Sequence, residues 1–201
     1  MHVAAWCGSL AAASSNAAAI EVAERRVRES GHEVVHVTHV ELIPAFRPEL
    51  VDDPGAAVAE LRRTLEGCDA LLLSAPEYAG GAPGSLKNAL DWLVGSASVY
   101  QRPVGVLSVG TTGGEHALEQ LVRTLSWQGA LVVAVLGIAS PRTKMSSDGR
   151  FTDAPTIAAI EQWADRVVEA ASATPARRLE MVSGAVARYG IDPARFGTLD
   201  R

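Results

Sequence analysis

The chain has 201 residues and a mass of 21.1 kDa, a length that suits one domain with a sizeable core. Hydrophobic residues make up 48% and charged residues 20%, which excludes a disordered chain. The net charge of −5 argues against a broad surface for nucleic-acid phosphates, and two cysteines, Cys7 and Cys68, cannot build a disulfide framework. No run approaches the roughly 20 apolar residues of a membrane span. The first residues lack a charged region, apolar stretch and cleavage site in leader-peptide order. The expected setting is therefore reducing and cytoplasmic, with no membrane and no nucleic-acid partner.

In chain order, the first apolar segment is HVAAWCGS (2–9), followed by a helical pattern over 15–30. Ile20, Ala23 and Val27 share one face of that helix, and Glu21–Arg25 and Glu24–Arg28 read as pairs on its solvent side. A second strand is expected over EVVHVTHV (33–40). A helix over 53–67 carries Val58, Leu61 and Leu65. The runs DALLLSAP (69–76), PVGVLSVG (103–110) and ALVVAVLG (130–137) are apolar almost without alternation, so both faces of each must be covered, as in a parallel sheet. Helices over 84–94, 115–127 and 156–171 complete an alternating β-α order. The predicted fold is α/β: a flavodoxin-like three-layer sandwich with a five-stranded parallel sheet in the order 2-1-3-4-5.

The predicted domain runs over 1–172, with a C-terminal helical extension over 173–201. In that tail Leu179, Val182, Val186 and Tyr189 fall at helical spacing, among Arg177, Arg178, Arg188, Arg195 and Arg201. It reads as an amphipathic helix lying on its own domain or on a partner subunit, and less readily as a lid.

Ligands of open parallel sheets bind beyond the carboxyl ends of the strands. Three loops here have unusual composition. GSLAAASSN (8–16) offers Ser9, Ser14, Ser15 and Asn16 where a helix begins, a setting suited to a phosphate, although plain capping by a serine uses the same residues. PEYAGGAPGSLKNALDWL (76–93) forms a rigid loop with exposed backbone, able to approach a flat ring, with Tyr78 as an aromatic edge. GTTGGEHALEQL (110–121) adds Thr111, Thr112 and paired glycines. His116 reads as a solvated helix-start residue, Lys87 and Asp91 as a surface ion pair, and Asn88 and Trp92 as packing residues. Neither a dinucleotide GxGxxG nor a GxxxxGK[ST] loop is present, and no GxSxG occurs. His32, His36 and His39 lie close together, but 36 and 39 point to opposite faces of a strand, so no metal site is expected.

These three loops resemble the NADPH-dependent FMN reductase family, which includes quinone, chromate and azo-dye reductases of flavodoxin-like fold. The resemblance covers about residues 1–172 and is carried most specifically by 76–93. It implies that Ser9, Ser14, Ser15 and Asn16 hold the phosphate of FMN. It places Pro76, Glu77, Tyr78, Ala79 and Gly80 beside the ribityl chain and ring, and Thr111, Gly113 and Gly114 at the other edge. It further implies NADPH or NADH as the reductant and a small-molecule electron acceptor such as a flavin or quinone. No catalytic side chain is required, because the flavin carries the hydride. The helix from Gly84 to Leu93 matches the one by which family members dimerise, implying a homodimer or a tetramer of dimers. Ala11 and Ala79 stand where many relatives have Arg and Asn. Each charge-assisted hydrogen bond contributes about 1.5–3 kcal/mol, so these departures imply a looser flavin. The alternatives are a non-enzymatic electron carrier of flavodoxin type and an FMN-binding protein that has lost turnover.

Overall fold

The computed structural model describes residues 1–197. Thr198 to Arg201, including the Arg201 of the predicted tail, lie outside the described residues. The strands are β1 (His2–Cys7), β2 (Glu33–His36), β3 (Ala70–Ser74), β4 (Pro103–Gly110) and β5 (Leu131–Ala139). The helices are α1 (Ser15–Glu29), α2 (Ala56–Glu66), α3 (Gly84–Asp91), α4 (Glu115–Trp127), α5 (Ala154–Ser172) and α6 (Pro175–Val186). All neighbouring strands pair in parallel, in the order β2-β1-β3-β4-β5. This is the predicted flavodoxin-like sheet.

The chain leaves β1 toward β2 and then reverses direction through β3, β4 and β5. Right-handed crossovers therefore put α1 on one face and α2, α3 and α4 on the other. α5 returns to the first face and packs beside α1. β3 and most of β4 are buried along their whole length, which is why their sequences show no polar alternation. Gly105 is the gap in that pattern. A Cβ there would come within 2.5 Å of Val167 and 2.8 Å of the Trp163 ring, so its absence lets α5 sit directly on the sheet.

Several boundaries differ from expectation. β2 ends at His36, because after Val37 donates to the Ala5 carbonyl the chain turns at His39 (φ 60°) into a short 3-10 segment, Val40–Leu42. Val37 and Val40 are buried from within this turn, and that burial produced the strand-like spacing. His39 thus leaves the strand and faces Glu41, while His36 faces Glu24. Nor is Glu24 solvent-side: it is 5% exposed, and its carboxylate accepts from Arg28 as well as lying 3.3 Å from His36. Arg25 pairs with Glu29 rather than Glu21.

The long connection 37–55 is strapped to α3 and α2. Asn88 donates to the Pro44 carbonyl and accepts from the Phe46 N–H, and the Trp92 indole donates to the same Pro44 carbonyl. Arg62 donates to the carbonyls of Trp92 and Val51. Asn88 and Trp92 thus pack within the chain. α6 buries Met181, Val182 and Val186 in the common core and lies along the outer strand β5, where Arg166 also satisfies the Val133 carbonyl. The tail is therefore seated on its own domain. No helix among the described residues is long and apolar enough to cross a membrane, and no His/Cys/Asp/Glu group among them could hold a metal.

Candidate functional site

β1, β3 and β4 end side by side, so the loops 8–14, 75–83 and 110–114 emerge at one end of the sheet, at the point where strand order reverses. The junction of the three is Asn16. Its side chain is buried at 3% exposure. The carboxamide oxygen accepts from Ser74 Oγ and Val109 N–H, both at 2.9 Å, and Nδ2 donates to the Val109 carbonyl at 3.0 Å. β3 stops at Ser74, opposite Leu107, so Val109 extends past its neighbour with an open N–H and C=O. The Asn16 amide supplies the missing ladder partner. Asn16 was expected to hold a ligand with this side chain; the structure commits the carboxamide to the sheet, because two buried backbone groups need it.

That anchoring aims the start of α1 over the strand ends. Ser14 is the N-cap and its hydroxyl accepts from Ala17 N–H at 3.4 Å, while Ser9 Oγ accepts from Ala11 N–H at 3.3 Å. The N–H groups of Ser15 and Asn16 have no acceptor among the described residues. The segment 8–16 carries no charged side chain. At its head, burial pushes the Cys7 thiol up, and hydrogen bonding with the Ser9 backbone and the Ser14 side chain offsets this only in part. The result is a set of neutral donors at the positive end of a helix of fifteen residues, a chemistry that suits a phosphate.

The second loop is stiff. Tyr78 and Gly81 exchange both backbone hydrogen bonds, at 2.9 and 3.1 Å, around a two-residue turn in which Ala79 (φ 50°) and Gly80 (φ 72°) are left-handed. Glycine takes this conformation freely; alanine at position 79 is strained. Tyr78 is 54% exposed at the turn and Pro76 is buried at its base.

Glu77 links the second loop to the third. Its Oε2 accepts from the N–H groups of His116 (2.9 Å) and Ala117 (3.2 Å), capping α4, which has no side-chain cap of its own. Gln120 answers from α4, its Oε1 accepting from Ala82 N–H at 2.8 Å. No local signature in the sequence marks Gln120, whose partner lies 38 residues away. In the third loop Thr111 and Thr112 are exposed, whereas Gly113 and Gly114 are buried. Gly114 has φ 70°, and a Cβ on it would fall 1.9 Å from Ser108 Oγ, so only glycine closes this corner. His116 is exposed, and Lys87 and Asp91 form a 2.6 Å ion pair, as expected.

Two substitutions check this geometry by thermal or denaturant unfolding. Asn16→Ala strands both backbone groups of Val109 and is expected to lower stability by about 3 kcal/mol. Ala79→Gly relieves the left-handed turn and is expected to raise stability by about 0.5–1 kcal/mol. No loss in the first, or a loss in the second, would contradict the assignments.

Comparison with known proteins follows the same loops. A family model described as NADPH-dependent FMN reductase matches residues 1–143. The chain is 30% identical over 174 residues to a probable NADPH:quinone oxidoreductase 1 of Oryza sativa subsp. japonica, covering 81% of this chain and 87% of that one. It is 33% identical over 89 residues to an NADPH azoreductase of Bacillus sp. (strain OY1-2), a match covering 43% of this chain and only about half (49%) of that relative. Among solved structures, the flavoenzyme NAD(P)H:(acceptor) oxidoreductase FerB of Paracoccus denitrificans aligns with a TM-score of 0.70 at 25% identity, covering 84% of this chain and 97% of that one. With the family model spanning the sheet and all three loops, the chain belongs to the NADPH-dependent FMN reductase family.

Proposed function

We propose that this protein is an FMN-dependent NAD(P)H oxidoreductase that passes electrons from NAD(P)H to a flavin, quinone or other small acceptor. The observation that carries the reading is the unsatisfied start of α1, with free N–H groups at Ser15 and Asn16, standing beside two stiff, glycine-rich loops. The donor set fits FMN: neutral hydroxyls and amides at a helix N-terminus for a phosphate, and exposed backbone with an aromatic edge for a planar ring.

In this reading the hydroxyls of Ser9, Ser14 and Ser15 and the backbone amides of Ser15 and Asn16 hold the phosphate. Pro76, Tyr78, Ala79 and Gly80 form the wall beside the ring system, and Glu77 fixes that wall by capping α4. Thr111, Gly113 and Gly114 close the opposite edge with backbone and hydroxyl groups. When bound, FMN supplies the redox chemistry itself, accepting reducing equivalents from NAD(P)H and giving them to the acceptor. The chain's part is to orient, to exclude bulk water and to offer donors; none of its side chains needs to act as nucleophile or base.

A homodimer or tetramer of dimers belongs to the same proposal. Supporting it, Val94, Tyr100 and Trp127 remain 51%, 60% and 66% exposed around one cavity of about 840 Å³ beside the end of α3, on the side away from the cofactor loops. The free thiols of Cys7 and Cys68 fit a reducing, cytoplasmic setting.

The test is an absorption spectrum of the FMN-reconstituted protein before and after anaerobic NADPH. Bleaching of the flavin bands, reversed by a quinone or free flavin, is the expected result. Binding without bleaching would make the protein a carrier or an FMN-binding protein without turnover.

A further inference from the structure

The three loops of the proposed flavin site, 8–16, 75–84 and 110–114, contain no lysine or arginine. The connection after β5, residues 140–152, contains Arg142, Lys144 and Arg150. It is fastened to the loop after β4: Thr112 and Ala139 form an antiparallel bridge, and Ser140 N–H donates to the Thr111 carbonyl at 3.2 Å. The connection holds its own shape. Pro141–Thr143 form a 3-10 turn that Thr143 Oγ1 closes onto the Ser140 carbonyl at 2.9 Å. Met145 and Phe151 then bridge, and the N–H groups of Thr152 and Asp153 both donate to the Lys144 carbonyl.

The three cations differ in their company. Arg150 lies 3.6 Å from Asp148. Lys144 is half-buried and lies near Asp153, whose carboxyl is held below its usual range first by Thr156 and only weakly by Lys144. Arg142 is exposed on the turn next to Thr111 and faces no carboxylate within 4.0 Å among the described residues. A free guanidinium is the side chain best suited to a phosphate, and NADPH differs from NADH only by a 2′-phosphate. Resting on the reductase reading above, the geometry points to Arg142, supported by Lys144, as the group that takes the 2′-phosphate of the dinucleotide and sets the preference for NADPH over NADH. The flavin site, with neutral donors only, leaves this anion to the neighbouring hairpin.

The test pairs binding with turnover. The purified protein and its Arg142→Ala, Arg142→Lys and Arg142→Glu variants are titrated calorimetrically with 2′,5′-ADP and with 5′-AMP. The ratio of kcat/KM for NADPH over NADH is measured in parallel. The wild-type protein is expected to prefer 2′,5′-ADP. Arg142→Ala should cut that preference, and the NADPH/NADH ratio, about tenfold or more. Arg142→Lys should keep part of it, Arg142→Glu should abolish it, and added salt should weaken it. An unchanged preference in Arg142→Ala and Arg142→Glu, or none in the wild type, overturns the assignment. A protein that takes up no FMN would instead sink the reductase reading, while the nucleotide titration still reports on Arg142 directly.

Discussion

Everything at the functional end of this molecule depends on the buried carboxamide of Asn16. β4 outruns β3, and the buried N–H and C=O of Val109 would otherwise be left without partners inside the protein. One side-chain amide can satisfy both, and only if the first turn of α1 sits directly above the ends of β3 and β4. Ser74 adds a third bond to the same oxygen. The requirement to pair two buried backbone groups thereby fixes where the positive end of α1 points, and hence where an anion can be held.

The other two loops are positioned by a second exchange of the same kind. Glu77 reaches from the loop after β3 to cap α4, and Gln120 reaches back from α4 to the same loop. Each satisfies backbone donors that the turn geometry leaves open. Stiffness of this sort is what a protein contributes when a cofactor performs the chemistry, and it suits the proposal that these loops wall a planar ring. The strained Ala79 sits in the turn between the two anchor points, Glu77 and Ala82.

Much of this was legible in the sequence, and the failures have physical causes. β3, β4 and β5 were readable because strands covered on both faces need continuous apolar runs. β2 was overextended because Val37 and Val40 are buried by a turn, and burial alone does not reveal the backbone that achieves it. Glu24 looked like a surface residue because helical spacing gives no sign of His36 arriving from the next strand. The candidate loops were found by composition, yet the tasks of Asn16, Glu77 and Gln120 were not. Their partners lie 93, 39 and 38 residues away, a range at which local spacing carries no information. Composition alone points Gly114 toward a ligand, whereas Ser108 beneath it already demands glycine.

The proposed flavin site rests on neutral donors at the start of α1 holding a phosphate monoester. The most direct measurement of this is the affinity of the apoprotein for FMN against riboflavin, read by quenching of flavin fluorescence. The two differ only in that phosphate. Binding of FMN at least tenfold tighter, with the gap narrowed by Ser14→Ala, is what the account predicts. Equal affinity for the two flavins would contradict it.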